Sequence, residues 1–207
     1  MHDKFSNANS QFRDSLFRDF FNEPARLLSL CNSLLNSHFS SINDIEINTL
    51  DTSFFSGLKN DISCKIGNNF LVLIEHQSSV NSNMPFRCLS YVAELLNNLV
   101  KQKKFLYQQH LFSFPSPRFF VFYDGDDKSE PVYKILKLSD AFNGDSSALE
   151  LIVHSFNIKQ GIGQGKIAQA EQTALKMLHK NLPLEQIADF TDLPISRIQQ
   201  LANDPHQ

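Results

Sequence analysis

Residues 61–77 read as a strand, a tight turn and a second strand, and no other stretch of the chain constrains the fold as much. Ile62, Cys64 and Ile66 alternate with Asp61, Ser63 and Lys65, the period-two pattern of a half-buried strand. Gly67-Asn68-Asn69 has the turn chemistry that joins antiparallel neighbours. Phe70 to Ile74 is an unbroken apolar run, which predicts a buried strand ending in Glu75-His76-Gln77. Residues two apart on a strand face the same way, so Glu75 and Gln77 point to one side and His76 to the other. The turn brings Asp61 and Glu75, 14 residues apart, to one end of the hairpin. Two close carboxylates repel unless a divalent cation neutralises them, so removing one is expected to leave metal-free stability unchanged or raised. Mg²⁺ suits such a corner, because it takes oxygen ligands and keeps several waters.

The flanks supply the rest of a mixed sheet covered by helices. Phe12, Leu16, Phe17, Phe20 and Phe21 recur at helical spacing until Asn22-Glu23-Pro24, and a second helix is expected over 25–35. Ile45, Ile47 and Leu50 mark a first strand. Ser82 or Asn83 can cap a helix with Pro85 in its first turn, and Cys88, Val92, Leu95, Leu96 and Leu99 form its apolar stripe. Further strands are expected over 118–123, closed by a turn at Asp124-Gly125, and over 149–156. The resulting order of elements is that of an α/β fold.

Gly161-Ile162-Gly163-Gln164-Gly165-Lys166 invites comparison with a phosphate loop, but Ile167 stands where a Walker loop needs Ser or Thr. A flexible linker is the expected reading. Beyond it, helices are expected over 167–180, 184–190 and 195–201. Ile187, Ala188, Leu193, Ile198 and Leu201 make a small core. Both a helix-turn-helix and a helical hairpin for packing or self-association fit this pattern. The division is therefore a domain over 1–160 and a linker with a C-terminal helical unit over 161–207.

A net charge of −3 gives no global basic field, so any nucleic-acid binding must rest on a local patch and on metal. Three cysteines without CxxC spacing fit reduced, buried thiols. The polar start Met1-His2-Asp3-Lys4 has no signal-peptide pattern and no apolar run approaches a membrane span, so a cytoplasmic location without membrane contact is expected.

Asp61 and Glu75-x-Gln77 on a β-hairpin between helices resemble the Asp…Glu-x-Lys arrangement that marks the PD-(D/E)xK nuclease superfamily. The likeness is closer to one branch, the recombination-promoting nuclease/putative transposase family. Its members typically carry Ile-Glu-His-Gln-Ser, as in Ile74 to Ser78, then Met-Pro-x-Arg, as in Met84 to Arg87. Asn60-Asp61-Ile62, the run Asp14 to Asp19 and the run Leu136 to Phe142 also match, and the resemblance covers about residues 10–158 with a weaker echo in the C-terminal helices. It implies a restriction-endonuclease-like mixed sheet and a Mg²⁺-dependent (or Mn²⁺-dependent) DNA endonuclease linked to recombination or mobile elements. Asp61, Glu75 and the backbone carbonyl of His76 would be the metal ligands, and Asp61, Glu75 and Gln77 the catalytic set.

Gln77 stands where the wider superfamily has Lys, and Glu-x-Gln is usual for this branch. Lys59 or Lys65, on the strand face of Asp61, could supply the missing positive charge. Asp14 or Asp19 could add an acidic group. Arg87 could contact phosphate or pair with an acidic neighbour. Tyr91 is read as packing. The competing reading is a non-catalytic DNA-binding or assembly protein that retains the nuclease fold. A homo-oligomer is compatible with either reading.

Overall fold

The computed structural model describes residues 15–49, 60–100, 107, 109–143, 148–180 and 182–203. Asp14, Leu50 and Lys59 lie outside these residues. The chain divides into two compact units, Met1–Asn157 and Ile158–Gln207.

In the first unit, residues 15–21 are helical (α1) and the break at 22–23 is followed by α2, Pro24–Leu35, with the proline at its first turn where a missing N–H costs nothing. Six strands follow: β1 Ile45–Ile47, β2 Ile62–Ile66, β3 Phe70–Gln77, β4 Ser116–Tyr123, β5 Tyr133–Lys137 and β6 Ile152–Asn157. Helix α3, Met84–Leu99, crosses between β3 and β4. The sheet order is β1-β2-β3-β4-β6-β5. β1, β2 and β3 pair antiparallel, β3, β4 and β6 pair parallel, and β5 returns antiparallel to β6. This is one mixed sheet with helices on both faces, the restriction-endonuclease-like arrangement that the resemblance implies.

The hairpin forms as its residues dictate. β2 and β3 pair from Ile66 opposite Phe70 to Ile62 opposite Ile74. Gly67 takes φ +52°, a conformation that side-chain-bearing residues resist, and its N–H donates to the Asp44 carbonyl at 2.7 Å. β3 is buried on both faces by its alternation. Leu71 and Leu73 pack with Met84, Cys88, Tyr91 and Leu95 of α3. Val72 and Ile74 pack with Leu27 and Cys31 of α2. Each such side chain contributes roughly 1.5–3 kcal/mol by leaving water. The strand that carries Glu75 is thereby clamped from above and below.

β5 has no counterpart among the expected strands. Tyr133, Ile135 and Lys137 are exposed and only Lys134 and Leu136 turn inward, so this edge strand lacks the apolar run that announces β3. The strand expected over 149–156 begins three residues later, at Ile152.

In the second unit, α4 spans Ile158–Leu178, α5 Leu184–Thr191 and α6 Ile195–Ala202. The expected linker at Gly161 to Gly165 lies inside α4 instead. A backbone hydrogen-bonded along a helix tolerates glycine at a cost of about 1 kcal/mol each relative to Ala, so the glycines weaken the helix without ending it. The expected small core closes around Ala174, with Ile187, Leu193, Ile198 and Leu201 buried and Ala188 against them. Asp192 ends α5 at φ 56°, and Arg197 pairs with Glu171 at 2.8 Å. No described helix is long and apolar enough to cross a membrane.

Candidate functional site

The carboxyl ends of the parallel strands β3, β4 and β6 align, with Gln77 opposite Tyr123 and Tyr123 opposite Asn157. Sites in sheets with parallel strands gather at this edge, where the chain leaves the strands. The hairpin delivers Asp61 to the same edge, one residue beyond the Ile62–Ile74 pair.

There the two acidic side chains continue the strand pairing. The Asp61 N–H donates to Glu75 Oε1 at 3.1 Å, and the His76 N–H donates to Asp61 Oδ2 at 2.8 Å. Each carboxylate thus receives a main-chain N–H from the other's strand. Glu75 is 1% exposed, so its charge needs compensation. Arg87, one turn into α3, supplies it: its Nη2 lies 3.1 Å from Glu75 Oε2 and 3.0 Å from the Tyr91 hydroxyl, to which it also donates. Arg87 thus has the acidic neighbour that is one of its two expected partners. Tyr91 packs as expected and, in addition, holds the guanidinium.

The charges at this corner are tightly interdependent. Burial works against the Arg87 charge, but the Tyr91 hydrogen bond and the Glu75 carboxylate outweigh it and raise its pKa. Burial first, then Glu75, pushes the Tyr91 hydroxyl up, against the opposing pull of Arg87. The Cys88 thiol is pushed up by burial and by Glu75. Arg87 therefore holds its charge at this corner, while Tyr91 and Cys88 stay neutral protic groups.

Gln77 shares the Glu75 side of the sheet, and its amide contacts Met84 Sδ, which Arg87 Nη1 also approaches at 3.4 Å. Lys65 is not brought to this corner. It lies four residues along β2 from Asp61, roughly 13 Å at strand rise, and faces Glu46 at 3.8 Å. The positive charge next to Glu75 comes instead from α3, 12 residues further along the chain, where strand periodicity has nothing to say.

His76 points to the opposite face, as expected. Its ring stacks on Phe17 of α1 with centroids 5.1 Å apart, and its Nε2 lies 3.4 Å from Asp124 Oδ2. Asp124 therefore does more than make a turn: its N–H donates to the Gln77 carbonyl at 2.9 Å and its side chain pairs with His76. No sequence signal short of the β3–β4 register points to this pair. On the α1 side, Asp61 opens onto a polar cleft of about 250 Å³ that is also lined by Ser15, Arg18, Asp19, Thr49 and Asn60. Asp19 thus lines the same cleft as Asp61.

The donor set is that of a hard cation. Asp61 and Glu75 offer carboxylate oxygens, and no group of three His, Cys, Asp or Glu able to hold a metal occurs among the described residues. The carboxylate oxygens of Asp61 and Glu75 are of the donor type that Mg²⁺ and Mn²⁺ take, not the Cys and His set of a closed four-ligand zinc site.

A family model described as "Putative transposase, YhgA-like" matches residues 11–203. The match runs beyond the stretch in which the resemblance is concentrated and takes in the C-terminal helices. No curated protein and no solved structure matches the chain. With nearly its whole length matched, hairpin and terminal helices included, the chain belongs to the YhgA-like transposase family.

Proposed function

We propose that this protein is a divalent-metal-dependent DNA endonuclease acting in recombination or on mobile elements. The observation that carries the reading is the reciprocal Asp61–Glu75 pairing at the carboxyl edge of the sheet, with Arg87 alongside. In this reading Asp61, Glu75 and the His76 carbonyl hold Mg²⁺ or Mn²⁺. An ion held there would supply a water ligand of lowered pKa and polarisation of the phosphodiester. Gln77 orients the attacking water through its amide, which can both donate and accept. Arg87 provides the positive charge that the wider superfamily takes from lysine, and its planar fork suits a phosphate. Buried Cys31 and Cys64, whose thiols share a hydrogen bond at 3.7 Å, accord with the cytoplasmic location of the proposed reading. The test is a plasmid-cleavage assay with Mg²⁺, Mn²⁺ and EDTA, with Asp61→Ala protein purified in parallel. Metal-independent cleavage, or equal cleavage by the variant, would refute the reading and leave the family's DNA role to a non-catalytic protein.

The Arg87 assignment has its own check. Gln77→Lys alone is expected to change the cleavage rate little, because Arg87 already stands beside Glu75. Arg87→Gln, which keeps a donor for Glu75 but loses the charge, should lower the rate by about a hundredfold. Adding Gln77→Lys to Arg87→Gln should restore much of that loss in single-turnover assays. A double variant no better than Arg87→Gln would show that the guanidinium acts only as a clamp on Glu75.

The second unit is assigned to DNA engagement or self-association. It closes its own core, and residues 158–207 carry five basic and five acidic side chains, too even a balance for strong phosphate binding. Removing 158–207 is therefore expected to weaken DNA binding or change the oligomer while leaving Mn²⁺ binding by the first unit intact. Calorimetric titration of Mn²⁺ into the folded truncated protein checks this, and loss of binding there would place part of the metal site in the tail.

A further inference from the structure

The face of the sheet that carries α2 continues past it onto β4, β6 and β5, and there it is aromatic. Phe120 pairs with His154, and His154 with Ile135, while Phe156 is opposite both Phe122 and Tyr133, so these side chains share one face. The Tyr133 and His154 rings lie within 17° of parallel, with centroids 6.0 Å apart. A hydrogen bond of 2.8 Å joins the Tyr133 hydroxyl to His154 Nδ1. The hydrogen bond ties the two near-parallel rings together as one aromatic patch. Phe156 and Phe120, on the neighbouring strands, extend the patch, with ring centroids 5.2 Å from Tyr133 and 5.7 Å from His154. Tyr133 is 45% exposed, so the patch is accessible from solvent.

The surface borders a groove of about 480 Å³ whose charged side chain is Arg118, exposed and held over the Phe70 ring at 5.5 Å. No described carboxylate lines this groove. An apolar protein partner would need neither a hydrogen-bonded ring pair nor a guanidinium at its margin. Flat π faces beside a cation, with no anion, suit a nucleobase joined to a phosphate.

We propose that this aromatic face binds an unpaired DNA strand, with a base stacked on the Tyr133–His154 surface and its phosphate near Arg118. The site is distinct from the Asp61–Glu75 corner, and the choice of DNA rests on the reading of the family above. It gives the protein a hold on single-stranded segments that its −3 net charge would not otherwise supply.

The test is fluorescence anisotropy of a labelled oligothymidylate with the full-length protein in EDTA, where binding is read without cleavage. Tyr133→Ala and Arg118→Ala are each expected to weaken binding, Tyr133→Ala by roughly tenfold or more, and Tyr133→Phe to weaken it less. An abasic oligomer of equal length should bind wild type no better than oligothymidylate binds Tyr133→Ala. Equal affinity for abasic and thymidylate strands, or an undiminished Tyr133→Ala, overturns the proposal. Tighter binding of oligouridylate than of oligothymidylate overturns its assignment to DNA. A dimer in sedimentation that Tyr133→Ala dissociates makes the face a contact between two copies of the chain, and the proposal fails. Duplex-plasmid cleavage by Tyr133→Ala is measured separately, so failure of strand binding and failure of the endonuclease reading are distinguishable.

Discussion

Asp61→Asn is expected to cut metal-dependent plasmid cleavage by at least about a hundredfold while leaving the folded protein close to wild-type stability. The two effects separate because Asp61, in the proposed reading, has two jobs. Its Oδ2 accepts the His76 N–H at 2.8 Å, which closes the end of the β2–β3 pairing. An asparagine carbonyl oxygen can accept the same hydrogen bond. What asparagine cannot supply is the negative charge that a divalent ion requires. Single-turnover nicking with Mg²⁺ should therefore collapse, Mn²⁺ binding should fall with it, and the urea midpoint should hardly move. Wild-type nicking by pure Asp61→Asn protein would remove Asp61 from the site. Asp61→Ala should add a stability loss of roughly 1–3 kcal/mol, because it leaves the His76 N–H without its acceptor.

Glu75→Ala is expected to be the most destabilising change at the site, by about 3 kcal/mol. This reverses the expectation that relieving repulsion between two carboxylates would leave the metal-free protein as stable or more so. Attraction outweighs repulsion at this corner, because Glu75 is clasped by the Asp61 N–H and by Arg87. Taking the carboxylate away strands a guanidinium whose Nε is buried without a hydrogen-bond acceptor. The loss falls at the low end of values for buried pairs because the Arg87 side chain keeps 30% exposure. Against a total stability of roughly 5–15 kcal/mol, a deficit of this size lowers the urea midpoint visibly. Glu75→Gln should lose less, since its amide oxygen still accepts from Asp61. Changing Arg87 to Met in the Glu75→Ala background should recover part of the deficit, because the unpaired charge is then gone. A Glu75→Ala midpoint equal to wild type would show that the pair contributes nothing to folding.

The parts of this fold that are legible in the sequence are those where one physical requirement dominates. The β2–β3 hairpin follows from period-two alternation and from a glycine that must adopt positive φ. The α2 and α3 stripes follow from helical spacing around Leu27, Cys31, Cys88 and Leu95. The C-terminal core at Ile187, Leu193, Ile198 and Leu201 follows for the same reason. β5 escapes because an edge strand with one face exposed need not be apolar. The Gly161 to Gly165 stretch misleads because glycine lowers helix stability without forbidding the helix, and main-chain hydrogen bonding carries α4 through it. At the site, strand parity alone places Asp61, Glu75 and Gln77. It does not place Arg87 and Asp124, since their roles depend on which helix and which strand pack beside β3, a long-range pairing that local pattern does not contain. Lys65 has the right parity but sits at the wrong end of the strand.

The glycines in α4 have a consequence for how far the chain can extend. Residues 162–169 are all exposed, and an added Cβ would meet nothing within 4 Å at Gly163 or Gly165. This stretch is held helical by its own backbone, with no packed side chains to lend it stability. As helix, its eight residues cover about 12 Å. Drawn out, the same eight residues cover about 27 Å. Melting two turns of weak helix therefore more than doubles the length of chain there, at a cost far below that of opening either core. The reach of the chain at this point is therefore set by main-chain hydrogen bonds alone, whereas α2 and α3 have their lengths fixed by side chains packed on the sheet.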